Sequence, residues 1–184
     1  MKDWLYYRIY VRPHFNDWYP RLLREVVQPF ISKNEKSIDS FFFFMYHMQY
    51  GIHEGLEKGC EHRFKVGEWV SFIRLRVWAE QENISNLEGE LLKFIKMSPT
   101  VLETEKCTYN EKEDLGGRFG ETRRELVRKY LEYASRITLS LLDEPRDEKY
   151  YDKIGGLIHL SSNMLNYCIV VTCPNCKTRT PISL

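Results

Sequence analysis

The chain has 184 residues, a single-domain length that is sufficient to bury a hydrophobic core. Its 27 Lys and Arg residues nearly balance its 26 Asp and Glu residues, so overall charge argues against nucleic acid or a membrane surface as the partner, and any anion site has to be local. The most apolar stretch, residues 41–46, is far shorter than the roughly 18 residues that a membrane helix needs.

Cysteine usage and the N-terminus predict the compartment. The five cysteines are an odd number, and the N-terminal segment "MKDWLYYRIYV" has the pattern of a strand and not of a secretory signal. We therefore expect a cytoplasmic protein. Cys173 and Cys176 form one C-x-x-C pair, which is half of the usual four-ligand structural zinc site. We predict no metal and no cofactor, while free thiols and a metal shared in a dimer both stay open.

The first part of the chain alternates between strand and helix patterns. The predicted elements are, in chain order, a strand over 4–11, a helix from 15, a buried central strand over 38–47, a strand over 68–80, a second helix, and a strand over 100–109. Pro29 is expected to kink or end the first helix, and the capping-box pair Ser85 and Glu88 predicts the start of the second. The order predicts an α+β fold with a ferredoxin-like antiparallel sheet (βαββαβ).

The other segments predict a loop and two additional C-terminal helices. Residues 48–67 show no sustained period and predict a long loop or lid, with a disordered segment as the alternative. A turn-rich segment over 110–120 leads to helices predicted over 121–143 and 148–168. The expected organisation is one domain over 1–168 and a cysteine-containing tail over 169–184.

Arginines occupy one face of two predicted strands. Because successive side chains of a strand point to opposite faces, Arg74 and Arg76 share a face, and Arg8 lies on an aromatic, cationic face of its own strand. A guanidinium binds carboxylate or phosphate bidentately and is less hydrated than an ammonium, so these residues predict a local anion site. The alternative is that they form cross-strand ion pairs with Glu103 and Glu105.

Two later segments carry further candidate groups. Arg118 follows a Gly-Gly pair in the turn-rich segment, where a solvated arginine is the alternative interpretation. His159 and Asn163 are four residues apart on one predicted helix face, which suits a positioned general base, although most such histidines are core or surface residues. The absence of a P-loop, a dinucleotide glycine pattern, a nucleophile elbow and an H-E-x-x-H motif argues against the common nucleotide-binding and hydrolase classes.

Several segments, in order, resemble the elimination domain of class I lantibiotic dehydratases, a domain that also occurs as a separate protein in thiopeptide-type bacteriocin clusters. The resemblance spans Trp4 to about Asn166, and the order and spacing of the segments carry it. The segments are "WLYYRIYV", "PRLLREVVQPFI", "FFFFMYH", "FIRLRV", a "TY...E...RFG" turn, "YLEYASRITLSLL" and "IHLSSNML".

The resemblance implies a lyase. A separate protein, dependent on glutamyl-tRNA, would transfer glutamate to Ser or Thr of a precursor peptide, and this chain would expel the glutamate to leave dehydroalanine or dehydrobutyrine. The expected partners are that peptide and that protein, without a membrane or direct nucleic-acid contact, and a homo-oligomer stays open. The expected site comprises catalytic Arg74, Arg76, Arg118 and His159, and substrate-binding Arg8, Tyr10 and Asn163.

This chain departs from the family's pattern. Ser71 and Phe72 stand where the family's strand motif has Pro-His, the segment 48–67 is an insertion, and the Gly-Gly pair precedes Arg118 instead of following it. Two alternatives therefore stay open. One is the related reaction that joins two dehydroalanines into the pyridine ring of thiopeptides, and the other is a non-catalytic module that binds leader peptide at a sheet edge.

Overall fold

A computed structural model describes residues 1–12, 17–49, 69–117, 120–144, 170–172 and 179–181. The chain divides into two compact units, Met1–Tyr109 and Asn110–Leu184. The predicted helix over 148–168 lies outside the described residues, as does all but the start of the predicted loop over 48–67. The domain boundary expected at residue 168 stays a prediction.

The first unit is built on a four-stranded antiparallel sheet. Its strands lie in the spatial order β2-β3-β1-β4, with β1 paired to both β3 and β4. The bounds are β1 (Lys2–Val11), β2 (Ser40–Gln49), β3 (Trp69–Glu80) and β4 (Val101–Lys106). The predicted α+β class is confirmed, and the ferredoxin-like assignment itself stays a prediction.

The predicted central position of β2 is wrong within the described residues. There, β2 pairs with β3 and lies at the edge of the sheet. The aromatic run misled the prediction because Phe41 and Phe42 are both buried, at 1% and 0% exposure, which shows that the two faces of the strand are covered. Covered faces leave open whether a strand has one neighbour or two.

The first helical stretch runs from Trp18 to Asn34 without ending at Pro29. It consists of α1 (Trp18–Leu22), a π-helical segment (Leu23–Val27) and α2 (Gln28–Asn34), followed by a 3-10 turn (Glu35–Ser37). Pro29 lies at the start of α2, directly after the π-helical segment. Because proline has no N–H for the carbonyl one turn earlier, the wider helical turn before it accommodates the missing hydrogen bond.

Helix α3 (Gln81–Met97) follows β3 directly. Its N-cap is Glu80, which has an extended backbone and makes no capping hydrogen bond through its side chain. The predicted capping box is therefore wrong, because Ser85 lies inside the helix. The helix buries an apolar face that carries Leu87 and Leu91, both at 0% exposure.

The second unit contains a π-helical segment (Lys112–Gly116), helix α4 (Glu121–Ser140) and a two-stranded antiparallel sheet of β5 (Val170–Thr172) and β6 (Arg179–Pro181). Helix α4 agrees with the helix predicted over 121–143. Its N-cap, Gly120, has a φ of 83°, a conformation that side-chain-bearing residues rarely adopt, so glycine suits this position.

Helix α3 packs against β1 and β3 and so covers one face of the sheet. Strand residues of that face, such as Ile9 and Ile73, are fully buried at 0% exposure. Glu88 of α3 accepts hydrogen bonds from the Tyr7 hydroxyl of β1 and from Lys106 Nζ of β4. These contacts identify the side of Tyr7 as the helix-facing side, and the even-numbered neighbours of Tyr7 point to the opposite face.

Two hydrogen bonds lower the pKa of the Glu88 carboxyl below its ordinary value of 4.5. The bond from Lys106 has the larger effect, and the bond from Tyr7 has the smaller one. We expect Glu88→Gln to reduce the free energy of unfolding at neutral pH. Because the folded-state pKa is depressed, this contribution is present above pH 4.5 and is lost as the pH falls through the folded-state value. Urea unfolding of both proteins at a series of pH values measures it. A difference that stays constant into acid would contradict the expectation.

Candidate functional site

Three arginines lie together on the sheet face opposite α3, and we call Arg8, Arg74 and Arg76 the arginine cluster. The strand register places Arg8 directly opposite Arg74, and Arg76 directly opposite Tyr6. The structure therefore brings these three predicted site residues onto one surface. Like charges directly opposite each other in a sheet repel, so the groups around them decide what the cluster can do.

Arg8 forms a cross-strand ion pair. Its side chain is 1% exposed, and its Nη1 donates to Glu105 Oε2 at 3.3 Å, while its Nε donates to the Tyr6 hydroxyl oxygen at 3.3 Å. Burial opposes the charged form, yet the hydrogen bond to Tyr6 and the nearness of Tyr6, Cys107 and Glu105 raise the pKa of Arg8. For Arg8, the structure therefore agrees with the alternative interpretation of the sequence, in which the arginine pairs with a glutamate of β4.

Tyr10 joins the same network. Its hydroxyl donates to Glu105 Oε2 at 3.1 Å, so this carboxylate oxygen accepts hydrogen bonds from both Tyr10 and Arg8. Both residues are buried, at 3% and 1% exposure. Their predicted substrate-binding roles stay predictions, and the geometry shows them supporting the rest of the cluster.

Arg76 sits inside a set of four rings that we call the aromatic cage: Tyr6, Phe42, Phe44 and Tyr109. The Cζ atom of Arg76 lies 4.2 Å from the ring centroid of Tyr109 and 4.8 Å from that of Tyr6. The centroids of Phe42 and Phe44 are 5.4 and 5.6 Å away. Each such cation–π contact contributes about 0.5–2 kcal/mol, so the cage fixes the position of a guanidinium that is 3% exposed.

Arg74 is the partly exposed member of the cluster. Its Cζ atom lies 4.5 Å from the ring centroid of Tyr46, and its Nη1 donates to the Tyr46 hydroxyl at 3.4 Å. Tyr46 in turn stacks on Phe72, with centroids 5.0 Å apart and planes at 7°. The Nε of Arg74 is buried and has no hydrogen-bond acceptor among the described residues. Arg74 thus combines a partly exposed side chain with a buried donor that no described residue satisfies.

The Tyr6 phenol is influenced by the charges of all three arginines. Burial raises the pKa of its phenol, and the positive charges of Arg74, Arg8 and Arg76, together with the hydrogen bond from Arg8, oppose that effect without reversing it. The hydroxyl therefore keeps its proton at neutral pH. Tyr6 is absent from the predicted site, although its place on the same strand face as Arg8 is the sequence signal that could have identified it.

The other predicted site residues, Arg118, His159 and Asn163, lie outside the described residues, and so does the pair Cys173 and Cys176. Within the described part of the chain, no group of three or more His, Cys, Asp or Glu side chains could hold a metal ion. Across those same ranges, no helix combines the length and apolar character of a membrane span.

Comparison with known proteins finds likenesses among solved structures alone. No family model matches the chain, and no curated protein matches it. Solved structures that resemble the chain include the crystal structure of TsrL, at 15% sequence identity and a TM-score of 0.45. The match covers 90% of this chain and 40% of the TsrL chain, so this chain spans less than half of that length.

Proposed function

We propose that this protein acts in the biosynthesis of a ribosomally made, modified peptide, by removing glutamate from glutamylated Ser or Thr residues. The observation that carries the proposal is the arginine cluster, in which a buried Nε–H of Arg74 has no acceptor among the described residues. The resemblance to elimination domains of lantibiotic dehydratases supports the reaction class. Under that proposal a separate tRNA-dependent protein supplies the glutamylated peptide.

The proposed elimination needs a base and an anion site. The base takes the α-proton, the electron pair of that C–H bond becomes the Cα=Cβ double bond, and the Cβ–O bond breaks. Glutamate leaves with the electrons of the Cβ–O bond as a carboxylate. Guanidinium groups fixed in a site that excludes water stabilise both the enolate-like charge and the departing carboxylate. The resemblance implies His159 as the base.

The members of the arginine cluster have different roles in this proposal. Arg74, which is partly exposed, contacts the departing carboxylate. Arg76, held by the aromatic cage, supplies a fixed positive charge beside it. Arg8 is neutralised by Glu105 and holds Tyr6 in place through its Nε.

Purified protein incubated with glutamylated precursor peptide tests the proposal, with product masses as the readout. We expect loss of glutamate and a peptide with dehydroalanine or dehydrobutyrine at the glutamylated position, whereas unglutamylated peptide should keep its mass. Loss of the leader peptide with ring formation would overturn elimination in favour of pyridine formation. An unchanged mass with tight binding would overturn it in favour of a binding module.

A further inference from the structure

The Tyr6 hydroxyl is a buried donor without an acceptor among the described residues. Tyr6 is 4% exposed, and its oxygen accepts the Nε–H of Arg8 at 3.3 Å, which leaves the hydroxyl proton to donate. Buried polar groups nearly always find a partner, because a buried donor without an acceptor loses the hydrogen bond that water would give it. The Tyr6 hydroxyl accepts one hydrogen bond and donates none to the described residues, so its hydrogen bonding is incomplete.

A second incomplete donor lies on the same face. The buried Nε of Arg74 has no acceptor among the described residues. Arg74 is directly opposite Arg8 in the strand register, and Arg8 contacts the Tyr6 hydroxyl, so the two donors belong to one small area. Among the charges that act on the Tyr6 phenol, that of Arg74 has the largest effect on its pKa, which supports this proximity.

We propose that Tyr6 and Arg74 together bind one carboxylate, with the Tyr6 O–H and the Arg74 Nε–H as paired donors. This inference rests on the proposed function, because the carboxylate is assigned to the glutamyl group of the substrate. Tyr6 becomes a substrate-binding residue in addition to those predicted from the sequence.

The surroundings of the two donors favour a carboxylate. The ligand has to accept both hydrogen bonds, and the charge of Arg74 selects an anion. The cation–π contact with Tyr46 helps to hold the guanidinium of Arg74 in place, and a guanidinium suits a planar group with two acceptor oxygens. Arg8 donates to the Tyr6 oxygen, so the phenol proton stays available for the ligand.

Calorimetric titration of L-glutamate into three proteins tests the inference: wild type, Tyr6→Phe and Tyr7→Phe. Because a hydrogen bond to a charged group contributes about 1.5–3 kcal/mol, we expect Tyr6→Phe to weaken binding by roughly 10-fold or more. Tyr7→Phe is the matched control, since its hydroxyl lies on the opposite face and binds Glu88. It should bind glutamate as wild type does.

Three results would overturn the carboxylate site: no binding to wild type, equal binding to wild type and Tyr6→Phe, or equal weakening in both variants. The outcome is separate from that of the elimination assay. Binding that depends on Tyr6, in a protein that leaves glutamylated peptide intact, would support the site and overturn the proposed function. Elimination that proceeds equally well in Tyr6→Phe would overturn the site and leave the proposed function standing.

Discussion

Replacing Arg76 with lysine is expected to reduce kcat for glutamate elimination by about 100-fold or more, the usual loss when one preorganised stabilising donor is removed. The planar guanidinium of Arg76 packs among the four rings of the aromatic cage, with the rings of Tyr109 and Tyr6 nearest. Lysine keeps the charge, but its compact and strongly hydrated ammonium cannot stack on these rings. The conservative change therefore displaces the charge from its fixed position.

A matched control is available in α4. Arg136 is exposed and pairs with Glu132 on the same helix, so Arg136→Lys makes the same chemical change at a surface ion pair. We expect kcat near the wild-type value for Arg136→Lys, and circular dichroism should show both variants folded. A folded Arg76→Lys protein with wild-type kcat would show that the guanidinium of Arg76 has no role in elimination.

The second large effect concerns stability. We expect Glu105→Gln to lower the free energy of unfolding by about 3 kcal/mol, the lower end of the range for breaking a buried ion pair. The side chain of Arg8 is 1% exposed, so its charge depends on the carboxylate beside it, and the 30% exposure of Glu105 places the effect at the lower end. Glutamine preserves the shape and removes the charge. Urea or guanidinium unfolding measures the difference.

Glu125→Gln provides the comparison for that experiment. Glu125 pairs with Lys129 on α4, and both side chains are 67% exposed. Because surface ion pairs contribute about 0–1 kcal/mol, we expect little change in the free energy of unfolding. Equal losses in Glu105→Gln and Glu125→Gln would show that the Arg8–Glu105 pair behaves as a surface pair, and the burial argument would be wrong.

The strand pattern predicted the face of the sheet better than it predicted element ends. Alternation in the first strand put Arg8 on one face and Ile9 on the other, and both are buried on their respective sides. The start of α3 was missed because Ser85 and Glu88 match a capping box by spacing alone. In the structure Glu88 instead accepts hydrogen bonds from Tyr7 and Lys106, which are contacts between helix and sheet that no local pattern contains.

The candidate site was predictable where it depends on one strand and unpredictable where it depends on pairing. Arg74 and Arg76 share a face because of their spacing in β3. The aromatic cage needs the register that sets Phe42 opposite Arg76, which the sequence does not encode locally. Tyr109 contributes a ring from beyond the end of β4, and no periodic pattern indicated that position.

Elimination is tested most directly by counting the glutamate that the wild-type protein releases from glutamylated precursor peptide. The proposed function predicts one free glutamate for each dehydroalanine or dehydrobutyrine formed, with the peptide chain otherwise intact. A peptide that keeps its glutamate after prolonged incubation with folded protein would contradict it.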